Sequence, residues 1–193
     1  MKTLNSLEEK LILKKAQKGD KGAFAQVYDF YVVRIFRFIY LKTSSKETAE
    51  DLTSEVFLKC WKYVKKRKEN DEEEIIKEDK LGSFLYKIAR NLIIDFYKKK
   101  QVPTVEIDEN SKNEIIDKKQ DILAKVSAKQ EIEGLMKALS KLRGEYREII
   151  ILRHVEDLSI KEMAEITGKT SGSVRVQLHR GVKALEKTMK DSV

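Results

Sequence analysis

Ser159-Ile160-Lys161-Glu162-Met163-Ala164-Glu165-Ile166-Thr167-Gly168, followed by Lys169-Thr170-Ser171-Gly172-Ser173-Val174-Arg175, reads as two helices joined by a tight turn. Ser159 and Glu162 have the spacing of a capping box, in which each satisfies a backbone donor of the other. Ala164 is small enough for a close crossing, and Gly168 can take the left-handed conformation that a larger side chain resists. Beyond the turn Val174, Leu178, Val182 and Leu185 recur at helical spacing and turn inward. Ser173, Arg175, Val176, His179, Arg180 and Lys183 are left on the outer side. The pattern predicts a helix-turn-helix. From Gly168 to Lys190 six Lys and Arg stand against one acid, Glu186, a surplus suited to a DNA groove. An arginine near the start of a recognition helix can donate two hydrogen bonds to a guanine edge, and the Gly172 and Ser173 amides can hold a phosphate. The same stretch also fits an ordinary helical hairpin with a basic face.

The rest of the chain extends the helical reading. One proline and eight glycines in 193 residues leave little punctuation for hairpins, and apolar residues recur at three and four. The fold is predicted to be all-α. Ser6 and Glu9 open a first helix to about Lys18, which Gly19-Asp20 breaks. A second runs from about Lys21 to Leu41 with Phe24, Val27, Tyr28, Tyr31, Ile35, Phe38 and Ile39 inward. Ser44 and Glu47 cap a third, with Ala49, Leu52, Val56, Phe57 and Trp61 on its apolar side and an end near Val64. Residues 65–80 are mostly charge and read as a solvated loop or frayed extension. A fourth helix, Ser83 to Lys100, turns Leu85, Ile88, Ala89, Leu92 and Phe96 inward. Residues 101–130 are polar, carry the only proline and are rich in acids, which predicts an irregular interdomain linker. Helices near Gln130 to Ser140, Glu145 to Val155, Ser159 to Thr167 and Ser171 to Lys190 complete a second domain. Two small helical domains, 1–100 and 131–193, are therefore expected.

Composition narrows the function. A net charge of +8 with 37% charged residues favours a polyanionic partner, although charge alone fits a merely well-solvated surface equally. Cys60 is the only cysteine, so no internal disulfide is possible, and it reads as a small core residue. With His154 and His179 the only histidines and no carboxylates at ligand spacing, no metal or other cofactor is expected. The same scarcity leaves no set of nucleophile, base and stabiliser for catalysis, so the chain is not expected to be an enzyme. No apolar run is long enough to span a membrane and the N-terminus lacks a signal-like stretch, which predicts a cytoplasmic protein without membrane insertion.

Two stretches of the first half carry chemistry. In the fourth helix Lys87, Asn91 and Lys98 share one face and Tyr86, Arg90 and Tyr97 an adjoining one. Alternating rings and cations suit an unpaired nucleic-acid strand, because bases of any sequence stack on rings while cations hold the backbone. The alternative is that Tyr86 and Tyr97 border the core. In the third helix Ala49-Glu50-Asp51 precedes a large apolar face. The acids suit a helix N-terminus, and an exposed part of the face can meet another protein. Residue physics does not choose between these.

Gly19-Asp20 with Ala23-Phe24, then Ala49-Glu50-Asp51 to Trp61, then Phe84-Leu85-Tyr86-Lys87-Ile88-Ala89-Arg90-Asn91, then the helix-turn-helix, resembles in order and spacing the extracytoplasmic-function (ECF) group of the sigma-70 family. The resemblance implies a promoter-specificity factor with RNA polymerase core, at its clamp and flap, and promoter DNA as partners, and an anti-sigma factor as a common third. Asp51, Glu55, Phe57, Leu58 and Trp61 match the polymerase-binding segment, and Lys87, Arg90 and Asn91 the segment that opens the minus-10 element; Lys98, on the face of Lys87 and Asn91, is expected to join them on DNA. Residues 131–193 are implied to read the minus-35 element through the outer face of the last helix, with Arg175 and Arg180 at family positions near that DNA. Ser54 stands where the family usually has glutamine, and Val176-Gln177 replace a common serine and arginine, which implies an atypical minus-35 sequence. Loop 65–80 is longer than usual where the family builds its minus-10 base pocket. A ligand-responsive helix-turn-helix repressor or activator is the competing reading and would bind duplex DNA tightly alone. A helical adaptor that binds only protein would show no salt-dependent DNA affinity.

Overall fold

The computed structural model describes residues 11–12, 14–16, 19–69, 81–100 and 136–190. The expected capping of the first helix by Ser6, the linker 101–130 and the loop beyond residue 69 lie outside these. Among the described residues there is no β-strand. Helices α1 (Lys21–Thr43), α2 (Lys46–Glu69) and α3 (Leu81–Lys100) form the first half; α4 (Gly144–Ile150), α5 (Ile160–Thr167) and α6 (Ser171–Lys190) form the second, with residues 136–140 helical before α4.

Local chemistry explains the ends. Gly19 takes φ 79° and the Asp20 carboxylate accepts from the Ala23 amide, starting α1. Ser44 ends α1 in the left-handed region, so the expected Ser44–Glu47 box does not form. Ser45 takes the capping role, its hydroxyl accepting from Thr48 N at 3.2 Å. Helix α2 continues past Val64 to Glu69, because its end, Lys65-Lys66-Arg67-Lys68-Glu69, consists of good helix formers. Ser159 and Glu162 form the predicted capping box, and Gly168 closes α5 at φ 68°.

The expected helix from Glu145 to Val155 is not regular. After Ile150 it widens into a π-helical turn, Ile151–Val155, in which Glu156 N donates to Ile151 O at 3.0 Å. Asp157 follows at φ 54°. Such widened turns re-aim the residues after them, and here Glu156 enters the protein interior.

The inward residues of α1 are buried except Tyr28, which is 41% exposed and leans edge-on against Phe57 at 4.7 Å between ring centroids, and Phe24, which is half-buried against Trp61. One buried cluster runs through both halves, joining Phe38, Ile39, Leu85 and Ala89 to Ile151, Leu152, Met163, Ile166 and Val174. A smaller one of Leu139, Leu142 and Ile150 receives Ala184 and Leu185 from α6. Gly181 is buried where α6 crosses α4, since a Cβ there would lie 3.4 Å from Ile150 Cδ1 and from Tyr146 Cβ. Arg147 ties α4 to the preceding turn by donating to Leu139 O at 2.7 Å and to Ser140 O.

Candidate nucleic-acid interface

The last helix divides as its sequence predicts. Val174 is fully buried and Leu178, Val182 and Leu185 half-buried, while Ser173, Arg175, Val176, His179, Arg180 and Lys183 are all exposed. Thr170 caps α6, its hydroxyl accepting from Ser173 N at 3.2 Å, so of the two amides expected to hold a phosphate that of Ser173 is engaged within the turn. Glu145 on α4 accepts from Lys169 Nζ at 3.3 Å and from Gln177 Nε2 at 2.9 Å, which pins the helix-turn-helix to α4. Gln177 is thus committed to the protein, whereas Val176 stands 49% exposed between the cations of the outer face.

On α3, Lys87, Asn91 and Lys98 are exposed along one side. The adjoining face is not a free stacking platform. Tyr86 is fully buried, edge-on to Phe38, and its hydroxyl donates to Glu156 Oε2 at 2.7 Å. Tyr97 is half-buried and donates to Lys42 O at 2.9 Å. Tyr86 lies within the core and Tyr97 at its border, because Tyr86 sits one turn from buried Ala89 and Tyr97 one turn from buried Ile93 on the packed face of α3. Arg90 turns toward the second half, with Nε 3.0 Å from Glu148 Oε1. That contact is an ion pair by distance only: the buried Nε–H makes no hydrogen bond.

On α2, Asp51 and Leu58 are exposed, Leu58 by 51%, and Glu55 is half-buried and pairs with Lys59 at 3.2 Å. Trp61 is half-buried against Phe24 at 4.8 Å. Phe57, expected in the polymerase-binding set, is 4% exposed, because its position on the helix aims it at α1 and Tyr28. It supports that surface from beneath. Burial pushes the Cys60 thiol up to about 12, as its core position requires.

Sequence reasoning missed the polar cluster between the halves. The Glu156 side chain, with no exposure, accepts from Arg37 Nε at 2.8 Å and Nη2 at 2.9 Å, from the Tyr86 hydroxyl, and from Arg34 Nε at 3.4 Å. Arg34 Nη2 also donates to Glu156 O at 2.9 Å, and Arg37 Nη2 to Val155 O at 3.3 Å. The hydrogen bond to Glu156 raises the Arg37 pKa against the opposing effect of burial. For Arg34 burial pulls down, and the neighbouring Tyr86 and Glu156 more than offset it. Burial and the Glu156 charge raise Tyr86. No local signal marks these residues, which lie 70 to 122 positions apart from Glu156.

Among the described residues no group of His, Cys, Asp and Glu is arranged to hold a metal, and no helix is long and apolar enough to cross a membrane.

Residues 27–102 match the family described as Sigma-70 region 2, and residues 132–185 that described as Sigma-70, region 4. The ECF RNA polymerase sigma factor SigW of Bacillus subtilis is 30% identical over 187 residues, covering 93% of this chain and 95% of SigW. BldN of Streptomyces coelicolor, also an ECF RNA polymerase sigma factor, is 30% identical over 185 residues; the match takes in 93% of this chain but only 65% of BldN. The fold is shared with the sigma factor RpoE of Bartonella quintana, solved with the anti-sigma factor NepR, at TM-score 0.64 and 22% identity over 86% of this chain and 96% of that one. It is shared also with CnrH, solved with the cytosolic domain of CnrY, at TM-score 0.70 and 16% identity over 98% of this chain and all of CnrH. The two-region helical fold with a helix-turn-helix defines a sigma-70 type factor. The chain belongs to the ECF group of that family, and its function is to direct RNA polymerase to promoters.

Proposed function

We propose that the two halves divide promoter recognition, with residues 1–100 gripping the polymerase clamp and the opened minus-10 strand and residues 131–193 docking on the flap and reading the minus-35 duplex. The observation that carries this is the outer face of α6, where Arg175, Val176, His179 and Arg180 lie exposed in one stripe with Ser173 at its start. Polymerase contact falls to Asp51, Glu55 and Leu58 with the rim of Trp61, and the minus-10 strand to Lys87, Asn91 and Lys98, joined by Arg90. The protein works in the cytoplasm, as a specificity factor and not as an enzyme. An anti-sigma factor is its third partner, in keeping with the complex of RpoE with NepR.

Transcription with purified core polymerase, with and without this protein, tests the reading. Promoter-specific transcripts are expected only with it. Glu55→Lys, which breaks no core contact, is expected to weaken co-purification with core polymerase at unchanged helicity. Undiminished pull-down would remove the α2 assignment.

A further inference from the structure

Arg34 and Arg37 on α1 and Arg90 on α3 are three cations of the first half, and among the described residues every acceptor they have belongs to the second half. Two carboxylates supply most of it. Glu156 meets Arg37 in a two-pronged contact and Arg34 beside it, and Glu148 stands against Arg90. All three side chains keep part of their surface in solvent, with 23% of Arg34, 37% of Arg37 and 25% of Arg90 exposed, whereas Glu156 is wholly covered, so the arginines lie at the rim of the contact. Lys87 and Asn91 are exposed on the same helix as Arg90, within a turn of it. If the halves separate, the first half presents these arginines with, among the described residues, no carboxylate of its own, and only Arg34 keeps a partner there, the Tyr31 ring at 5.7 Å.

Planar guanidiniums that take carboxylates in a two-pronged contact match phosphate oxygens equally well. The Arg90 contact is also imperfect, since its buried Nε–H has no hydrogen-bonded acceptor although a carboxylate oxygen is 3.0 Å away. An unmatched donor of this kind is satisfied better by a differently placed anion.

We propose that Arg34, Arg37 and Arg90 form one anion site for the phosphate backbone of single-stranded DNA, and that Glu148 and Glu156 fill that site from within while the chain is closed. This rests on the reading that α3 meets the minus-10 strand, and extends the site to α1. The strand and the second half compete for the same three cations, so the chain opens as the strand binds. By linkage, whatever opens the chain tightens strand binding, and strand binding opens the chain by the same factor.

The test uses the full chain without polymerase and a fluorescein-labelled 12-nucleotide oligothymidylate at fixed low salt. Wild type is expected to bind weakly. The pair Glu148→Gln with Glu156→Gln is expected to bind about tenfold or more tightly, since a larger fraction is open, and to show a larger radius of gyration by X-ray scattering. Adding Arg34→Ala with Arg37→Ala should abolish the gain. Glu47→Gln with Glu50→Gln, both exposed on α2, makes the same two-charge change and should give none. An expanded pair without tighter binding, a gain that survives loss of Arg34 and Arg37, or an unexpanded pair each overturns the proposal. Should the pair lose helicity, scattering from the wild-type chain titrated with the oligonucleotide decides: expansion on binding supports the shared site, and binding without expansion refutes it. The minus-10 assignment is scored separately, by permanganate reactivity of holoenzyme promoter complexes carrying Arg90→Ala. Unchanged reactivity there removes that assignment, whatever the oligonucleotide reports.

Discussion

Arg175→Ala isolates the base-reading step of the proposed mechanism. Arg175 is exposed on α6 and makes no hydrogen bond or ion pair among the described residues, and both arginine and alanine are good helix formers. The change therefore leaves folding within about 0.5 kcal/mol of wild type, and a loss of DNA affinity reads the contact itself. A two-pronged contact to a guanine edge is worth about 1 to 3 kcal/mol, which is roughly 5- to 150-fold in affinity. A phosphate contact would cost less, weaken all sequences alike and lower the salt slope by about one. Mobility shifts of the polymerase complex, on promoters that differ at one upstream base pair and at one salt concentration, separate the two. The expected result is that the variant binds the paired promoters nearly equally while its thermal transition is unmoved. Full discrimination in the variant, or equal proportional losses of upstream binding and promoter melting, would refute the assignment of α6 to duplex reading.

Three further outcomes follow from the geometry. Asn91→Ala, on the exposed face of α3, should leave upstream binding intact and reduce permanganate-reactive thymines in the open complex; a loss of upstream binding instead would contradict separate duties. Ser159→Ala removes the acceptor of Glu162 N and the hydroxyl that donates to Glu162 Oε2 at 2.7 Å, and should cost about 1 kcal/mol in thermal denaturation, with Ser159→Gly milder. Cys60, with its thiol pushed up to about 12 by burial, should resist iodoacetamide at pH 8 in the native chain and react on unfolding. The sign also predicts that its contribution to stability, complete below the ordinary thiol pKa, is lost as pH rises toward 12; alkylation of the native protein at the unfolded rate would contradict the packing.

The helix-turn-helix was legible because its determinants are local. Ser159 and Glu162 are three residues apart, Gly168 marks its own backbone conformation, and the apolar spacing of α6 needs no knowledge of what covers it. Where a local signal came in two copies, as with Ser44 and Ser45, the sequence could not say which serine would end one helix and which would start the next. Tyr86 shows a different limit. Aromatic residues beside lysines fit a strand-binding face as well as a core edge, and what decides it comes from far along the chain, Phe38 against the ring and Glu156 on its hydroxyl. Gly181 gave no sign of its role, since only the closeness of Ile150 and Tyr146 reveals it as the crossing point of α6 and α4.

The expected division into two halves meets a buried cluster that runs through both, and the chemistry of that contact shows how these fit together. Ile151, Leu152 and Met163 are fully buried in it with Phe38 and Leu85, so closure removes apolar surface from water and is favourable on that account. Glu156 acts differently. A buried ion pair recovers in attraction roughly what it loses in desolvation, so it adds little net stability, whereas leaving either partner unmatched is costly. Arg34, Arg37 and Tyr86 together with Glu156 therefore fix the alignment of the closed halves more than they strengthen it. A closed state held only by apolar packing would slide among registers and would offer a charged ligand no means to open it. With a carboxylate at its centre and arginines at its rim, the contact has one register, and it can be exchanged for another anion without leaving those arginines unmatched.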